Sequence, residues 1–564
     1  MKTLIKNGKI INVFTGKIEE KNILINDCFI VGVGDYIDEE ADVIYDANGK
    51  YVCPGFIDGH IHIESTMLEP GELARICVAH GTSAIVADPH EIANVAGTTG
   101  ISYMIEKSEG LPMDVFFTIP SCVPATGYDE SGAILGPKEI EMFYENDRVL
   151  GLAEMMNYPG VICGDPIVHE KIQQAKAHGR VINGHAPLLS GKDLDKYISA
   201  GIQDDHECSS YDEAVERIEK GQWVMIRQGT SARNLNSLIE LFETPYNHRC
   251  ILVTDDKHPY DLIKSGHIDS IIREAVKLGK SAVTGIQMAT IQAAQCFNLR
   301  NYGAIAPGYY ANITVLNNLD TIEVCDVYHN GICVCKNGQT LPFVTKEMNS
   351  RITEPLYNSF KIIKLKKEDF EIEPNNGKCR VIKAIPGELL TEEAQYELDF
   401  SSNNGVDIEK DIIKIAVCER HMNTGHIGLG YLQGLGIKNG AIASSVSHDS
   451  HNLIIAGTNN EDMALAGNTI IAQGGGLCVV CNGSVLEVLE LPIAGLMSDE
   501  PAEVVSKKNQ AVRDAVSKLG VEAGIEPFMN TAFISLSVIP NLKMTTLGLV
   551  DVNKQEIVPL FVKE

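Results

Sequence analysis

The run Asp58-Gly-His60-Ile-His62 sets two imidazoles two residues apart. In an extended segment, residues i and i+2 project from the same face, so His60 and His62 can serve one centre. Further donors stand at the ends of separate strand candidates: Glu154, His185, His206 and Asp255. Imidazoles mixed with carboxylates form a donor set that suits Zn, Fe or Mn and does not suit Ca. Six donors exceed what one tetrahedral ion takes, so the set is sized for two divalent ions. Such ions bring the pKa of a bound water towards neutrality. Glu154 then reads as the bridging carboxylate. Asp255 reads as the group that takes the water's proton and later delivers it to the departing group.

The elements that must position these donors have a regular rhythm. Eight strand candidates follow in order: Gly55–His62, Thr82–Ala87, Asp114–Ile119, Val149–Glu154, Arg180–His185, Gly201–His206, Gln222–Arg227 and Cys250–Asp255. Amphipathic segments such as Lys138–Glu145, His169–Ala177, Lys192–Ala200, Ser210–Lys220 and Ser237–Phe242 lie between them. Strand, loop, helix and loop repeated eight times is the composition of a (β/α)8 barrel, which keeps its site at the C-terminal ends of its strands. The donors sit at those ends. The loop after the seventh strand, Ile226-Arg-Gln-Gly-Thr-Ser-Ala-Arg233, offers Arg227 and Gln228 to a substrate.

Residues 1–50 read instead as short strands, Thr3–Ile11, Asn22–Ile25, Phe29–Val33 and Val43–Asp46, joined by Asn-Gly, Asn-Asp and Gly turns. Strand-like sequence returns after the two helices Ile268–Leu278 and Ser281–Phe297. The expected architecture is therefore α/β. A TIM-like barrel over 53–302 is inserted into a small β-sandwich built from 1–52 and 303–345, and an α+β domain over 361–564 follows. This last region carries an amphipathic helix near Asn509–Gly520 and the polar run Ser447-His-Asp-Ser-His451. No Gly-x-Ser-x-Gly elbow surrounds a serine there, so a serine-hydrolase triad is a poor reading. Either His448 and Asp449 reach the barrel mouth on a lid, the favoured reading, or the run is a local turn.

Composition narrows the partners. The formal net charge of −28 argues against a nucleic acid. Met1–Lys17 has no apolar core of a secretory signal, and no stretch approaches the ~18–20 apolar residues of a membrane span. Fifteen cysteines without a framework spacing fit reduced thiols in the cytoplasm. The lone Cys478-x-x-Cys481 lies in an apolar run with no second pair nearby and reads as core.

Gly55-Phe-Ile-Asp-Gly-His-Ile-His62, with His at the fifth and sixth strands and Asp at the eighth, resembles the amidohydrolase superfamily. Many members bridge their metals with a carbamylated Lys on the fourth strand. Glu154 stands at that position here. The finer similarity is to the bacterial adenine deaminases. It is carried by His60-Ile-His-Ile-Glu-Ser65, Asp88-Pro-His-Glu-Ile92, Ser121-Cys-Val-Pro124, Gly151–Asn157, Thr254-Asp-Asp256, Gly266-His-Ile-Asp269, Ser445–Asn452 and Leu491-Pro-Ile-Ala-Gly-Leu-Met497. The resemblance spans nearly the whole chain. It implies hydrolysis of adenine to hypoxanthine and ammonia at a binuclear Mn or Fe site, with Zn as the alternative metal, in a homodimer.

That reaction also needs an acid for ring nitrogen N1. The stretch after His185 carries no carboxylate, which leaves Glu91, Asp88, His90 and Glu154 as candidates. Asp88 and His90 could instead ligate an ion. Glu91 could simply favour the N-terminal end of a helix dipole, and Glu64 is placed similarly. Two rival readings remain. A cyclic-amide hydrolase of the hydantoinase or dihydroorotase kind would open a ring instead of releasing ammonia. A non-catalytic barrel would load metal without turnover.

Overall fold

The computed structural model describes residues 1–562 apart from 231, 376 and 386–389. Eight parallel strands form the central unit: Phe56–Ile61, Thr82–Ala87, Asp114–Ile119, Val149–Met155, Val181–Gly184, Asp204–Asp205, Trp223–Arg227 and Cys250–Val253. Ladders join the first five in order and the last three in order. Single backbone bonds close the two remaining seams. Gln203 N–H donates to the Ile182 carbonyl at 3.0 Å, and Asp255 N–H donates to the His60 carbonyl at 2.9 Å. The sheet is thus a closed (β/α)8 barrel.

The sixth strand is the short one, with a ladder of two residues where six were expected. Its Asp204 carboxylate accepts from Gly184 N–H at 2.9 Å and from the Asn183 amide at 2.6 Å. A side chain thereby takes bonds that a longer ladder would have made.

Along each strand one row of side chains points inward. Ile57, Val86, Phe116, Val181, Trp223, Met225, Ile251 and Val253 pack with Phe297 in one buried cluster. Gly59 belongs to this packing, since a Cβ there would lie 2.5 Å from the Ile251 side chain. Two residues beyond Val253 comes Asp255, and two beyond Met225 comes Arg227. The apolar rows that fill the barrel therefore end in polar groups at its mouth.

Strands from both sides of the barrel form one nine-stranded sheet. Its N-terminal members are Lys2–Asn12, Lys17–Asn26, Phe29–Gly34, Val43–Asp46 and Tyr51–Pro54; its C-terminal members are Ile313–Leu316, Val324–His329, Ile332–Lys336 and Gln339–Thr340. Tyr51–Pro54 was not foreseen as a strand. It pairs parallel with Lys9–Ile10 and antiparallel with Ile313–Leu316, so it joins the two halves.

The C-terminal region holds an eight-stranded mixed sheet, a three-stranded antiparallel sheet and the helices Asn460–Gln473 and Ala502–Val516. It packs on the barrel through Arg75, whose guanidinium donates to Glu503 at 2.9 and 2.7 Å, and through Ala502 N–H on Glu72 at 2.8 Å. Among the described residues no helix is long and apolar enough to cross a membrane.

Candidate active site

The strand ends bring Glu154 to the centre of a ring of imidazoles. Its two oxygens face different pairs. Oε1 lies 3.5 Å from both His62 Nε2 and His90 Nδ1. Oε2 lies 2.6 Å from His185 Nδ1 and 3.2 Å from His206 Nε2. His60 stacks on His206 at a centroid distance of 4.4 Å and stands edge-on to His62 at 4.8 Å. Asp255 completes the group, its Oδ1 3.2 Å from His62 Nε2 and 3.7 Å from His60 Nε2. All seven side chains are buried.

Burial alone would push both carboxyls towards their neutral forms. The neighbouring His185 and His206 outweigh it and hold Glu154 well below the usual carboxylate range. Asp255 is held down in the same way against burial, first by Arg227 and then by His62. The Arg227 guanidinium lies 2.6 Å from Asp255 Oδ2 and also donates to Glu207.

The first strand is braced from below. His60 N–H and Thr254 N–H both donate to Asp58 Oδ1 at 3.2 Å, and His267 Nε2 lies 3.0 Å from Asp58 Oδ2. The far side of the His267 ring meets the Thr82 hydroxyl at 2.8 Å. This network explains what Gly266-His-Ile-Asp269 does: it locks the first and eighth strands together beneath the donors.

A cavity opens over this group. Its barrel side is lined by His62, His90, Glu154, His185, His206, Arg227 and Asp255, together with Glu207 and Asp256. Its roof comes from the C-terminal domain: His448, Asp449, Phe533, Leu536 and Ile539. The Ser447–His451 run therefore does reach the barrel mouth. It is buried there and held at several points, so it forms a fixed wall. Asn452 donates to the Glu130 carbonyl at 2.6 Å, Ser535 donates to the His448 carbonyl at 2.9 Å, and the His448 ring stacks on Phe533 at 4.4 Å.

Three expectations need correction. Gln228, offered as a substrate contact, is turned away and donates to Glu274 at 2.6 Å. Side chains alternate along a strand, so inward Arg227 forces its neighbour outward. Asp88 does not line the cavity either; it lies behind His90, with Oδ2 3.2 Å from His90 Nδ1. Glu91 sits deeper still, accepting from the Ser65 hydroxyl at 2.7 Å, and the same hydroxyl meets Asp256 at 2.6 Å. Glu207 and the apolar roof were missed. Glu207 follows His206 directly and could have been read as a seventh donor. Phe533, Leu536 and Ile539 lie in an ordinary apolar segment that carries no signal for a pocket.

The sequence matches the amidohydrolase family over residues 51–341 and the adenine deaminase C-terminal domain over residues 388–556. It is 43% identical to the adenine deaminase of Desulfatibacillum aliphaticivorans, over 99% of this chain and 97% of that one. It is 44% identical to adenine deaminase 2 of Carboxydothermus hydrogenoformans, over 99% of this chain and 96% of that one. The chain belongs to the adenine deaminase family.

Solved structures resembling it include the beta-aspartyl dipeptidase of Fervidobacterium islandicum AW-1, with 19% identity, a TM-score of 0.47, and coverage of 61% of this chain and 99% of that one. The dihydropyrimidinase of Brevibacillus agri NCHU1002 has 16% identity, a TM-score of 0.48, and coverage of 60% and 96%.

The amidohydrolase family to which these adenine deaminases belong uses divalent metal ions. The residues present fit that use. His60 Nε2, His90 Nδ1 and both Asp88 oxygens are buried without a hydrogen-bond partner. Unpaired buried polar atoms are costly, and a cation among them removes the cost. Ligand atoms of His62, Asp88, His90 and Glu154, of His60, Glu154 and His206, and of His60, His62 and Asp255 cluster closely enough to hold ions.

Proposed function

We propose that this chain hydrolyses adenine, with water replacing the exocyclic amine to give hypoxanthine and ammonia. One observation carries the reading of the site: the two oxygens of Glu154 address separate imidazole pairs. A bridging carboxylate between two divalent ions needs this arrangement. His62 and His90 would flank one ion, His185 and His206 the other, with His60 and Asp255 completing the set. Mn or Fe is the metal assignment, with Zn as the alternative. Bound there, such ions supply the Lewis acidity that makes water a nucleophile near neutral pH.

The chain's own groups do the remaining work. Asp255, kept anionic by Arg227, accepts the attacking water's proton and passes it to the leaving amine. Phe533, Leu536 and Ile539 offer an apolar surface to a flat heterocycle and keep bulk water out. The acid for ring nitrogen N1 must face the cavity, which Asp256 does and Glu91 does not. Glu91 stands one hydroxyl behind, linked through Ser65. The position of Asp256 therefore favours it as the group that touches the ring.

The test is ammonia release by metal-loaded protein offered adenine, beside ring opening of a hydantoin. Ammonia from adenine alone is expected. Hydantoin opening without ammonia release would replace this reading with that of a cyclic-amide hydrolase, and metal loading without either reaction would leave a non-catalytic barrel. The same reading includes a homodimer and a cytoplasmic location, the first checked by sedimentation.

A further inference from the structure

A second cluster, which the reaction does not use, shares His448 with the roof of the cavity. Glu91 enters it from the barrel helix His90–Lys107, and His448 and His451 enter it from the C-terminal domain. One ligand atom from each lies within 4.8 Å of the others, and all three side chains are buried. Glu91 Oε2 and His451 Nε2 face one another at 3.4 Å across the domain boundary, and neither has a hydrogen-bond partner. We propose that Glu91, His448 and His451 hold a further divalent cation, separate from the barrel-mouth centre, which ties the C-terminal domain to the barrel.

The groups that favour an ionised Glu91 are the imidazoles of His62 and His90, which belong to the barrel-mouth centre. Glu91 shares its pocket with Glu64 and Asp256, which both raise its cost of ionising there, and Glu64 Oε2 is also buried and unpaired. Arg420 is committed to backbone carbonyls, among them that of His451, and Lys257 donates to Ser270 at 3.2 Å. A cation is the simplest group to settle two buried carboxylates, the half-buried Asp256 and an open imidazole nitrogen at once.

The ligands are also held in place, as a metal site requires. Arg420 donates to the His451 carbonyl, His421 contacts the Ser450 carbonyl at 2.7 Å, and His448 is stacked nearly parallel on Phe533, at 7°. Burial keeps both imidazoles uncharged, the form that ligates. Two imidazoles and one carboxylate select a first-row transition ion over Ca or Mg.

The direct test needs no variant. Crystals of the full-length protein grown with Mn(II) and measured at the Mn edge should show an anomalous peak about 2.0–2.3 Å from Glu91, His448 and His451. Density at the barrel mouth with none here overturns the proposal; a peak here with an empty mouth would leave it standing. In a second experiment, metal is counted by elemental analysis after Mn(II) loading and gel filtration. His451→Gln and Glu91→Gln should each lose about one equivalent per chain while keeping the wild-type circular dichroism. Equal content in wild type and both folded variants overturns it.

Discussion

At the scale of single residues, the arrangement turns on how a buried carboxylate stays charged. Asp255 has burial against it and Arg227 in its favour, with a 2.6 Å contact between them. Replacing Arg227 by Met should lower kcat/KM for adenine roughly 10²–10³-fold, the usual scale for losing one preorganised electrostatic partner. The sign of the pH effect follows. Without Arg227 the Asp255 carboxyl rises in pKa, so the acid limb of the pH–rate profile moves to higher pH. An unchanged profile would remove Arg227 from this role. The sequence exposed the donors well, because His60-Ile-His62, Glu154, His185, His206 and Asp255 each stand at the end of a strand candidate. It did not show which way neighbouring side chains face, and so it grouped Gln228 with Arg227 although only Arg227 points inward.

Elements decide whether those residues meet. All eight barrel strands were placed, most of them as apolar runs because they are covered on both faces. The sixth, Gly201-Ile-Gln-Asp-Asp-His206, is largely polar, and its ladder has two residues where six were expected. The C-terminal domain was less legible. Helix Asn460–Gln473 had local signals, Asn459 capping Asp462 N–H at 2.8 Å and Gly474 at φ +73° past its end, yet its apolar pattern is weak because it is buried broadly. Helix Ala502–Val516 begins well before the Asn509 that periodicity indicated, its start fixed by tertiary contacts such as Ala502 N–H on Glu72. Two elements also carry testable energetics. Arg217 and Asp205 form a fully buried pair at 2.8 Å beside His206. Arg217→Met should lower unfolding stability by about 3–5 kcal/mol, read from denaturant midpoints, because it strands the Asp205 charge; a loss under about 1 kcal/mol would contradict this.

Lys543, on strand Leu542–Thr545, donates to the Phe533 carbonyl at 3.1 Å, and burial pushes its amine down to about 7. Between that value and the unfolded 10.5 the unfolded chain binds the extra proton, so this residue makes stability rise with pH across that window. Lys543→Met should remove that part of the slope, about 1.4 kcal/mol per pH unit at most. Parallel wild-type and variant curves would contradict it.

At the scale of the whole molecule, three units divide the work. The barrel supplies the donors, the nine-stranded sheet joins the chain on either side of it, and the C-terminal domain roofs the cavity with Phe533, Leu536 and Ile539. Family membership spans all three. Removing metal by prolonged chelation should abolish ammonia release, and Mn(II) or Fe(II) should restore it; recovery with Zn(II) alone would overturn the metal assignment. The decisive experiment compares ammonia release from adenine by Mn-loaded wild type and Asp255→Asn, with metal content determined on the same samples. The variant is expected to retain metal at least in part and to lose turnover by orders of magnitude. A metal-loaded Asp255→Asn protein releasing ammonia at near the wild-type rate would contradict it.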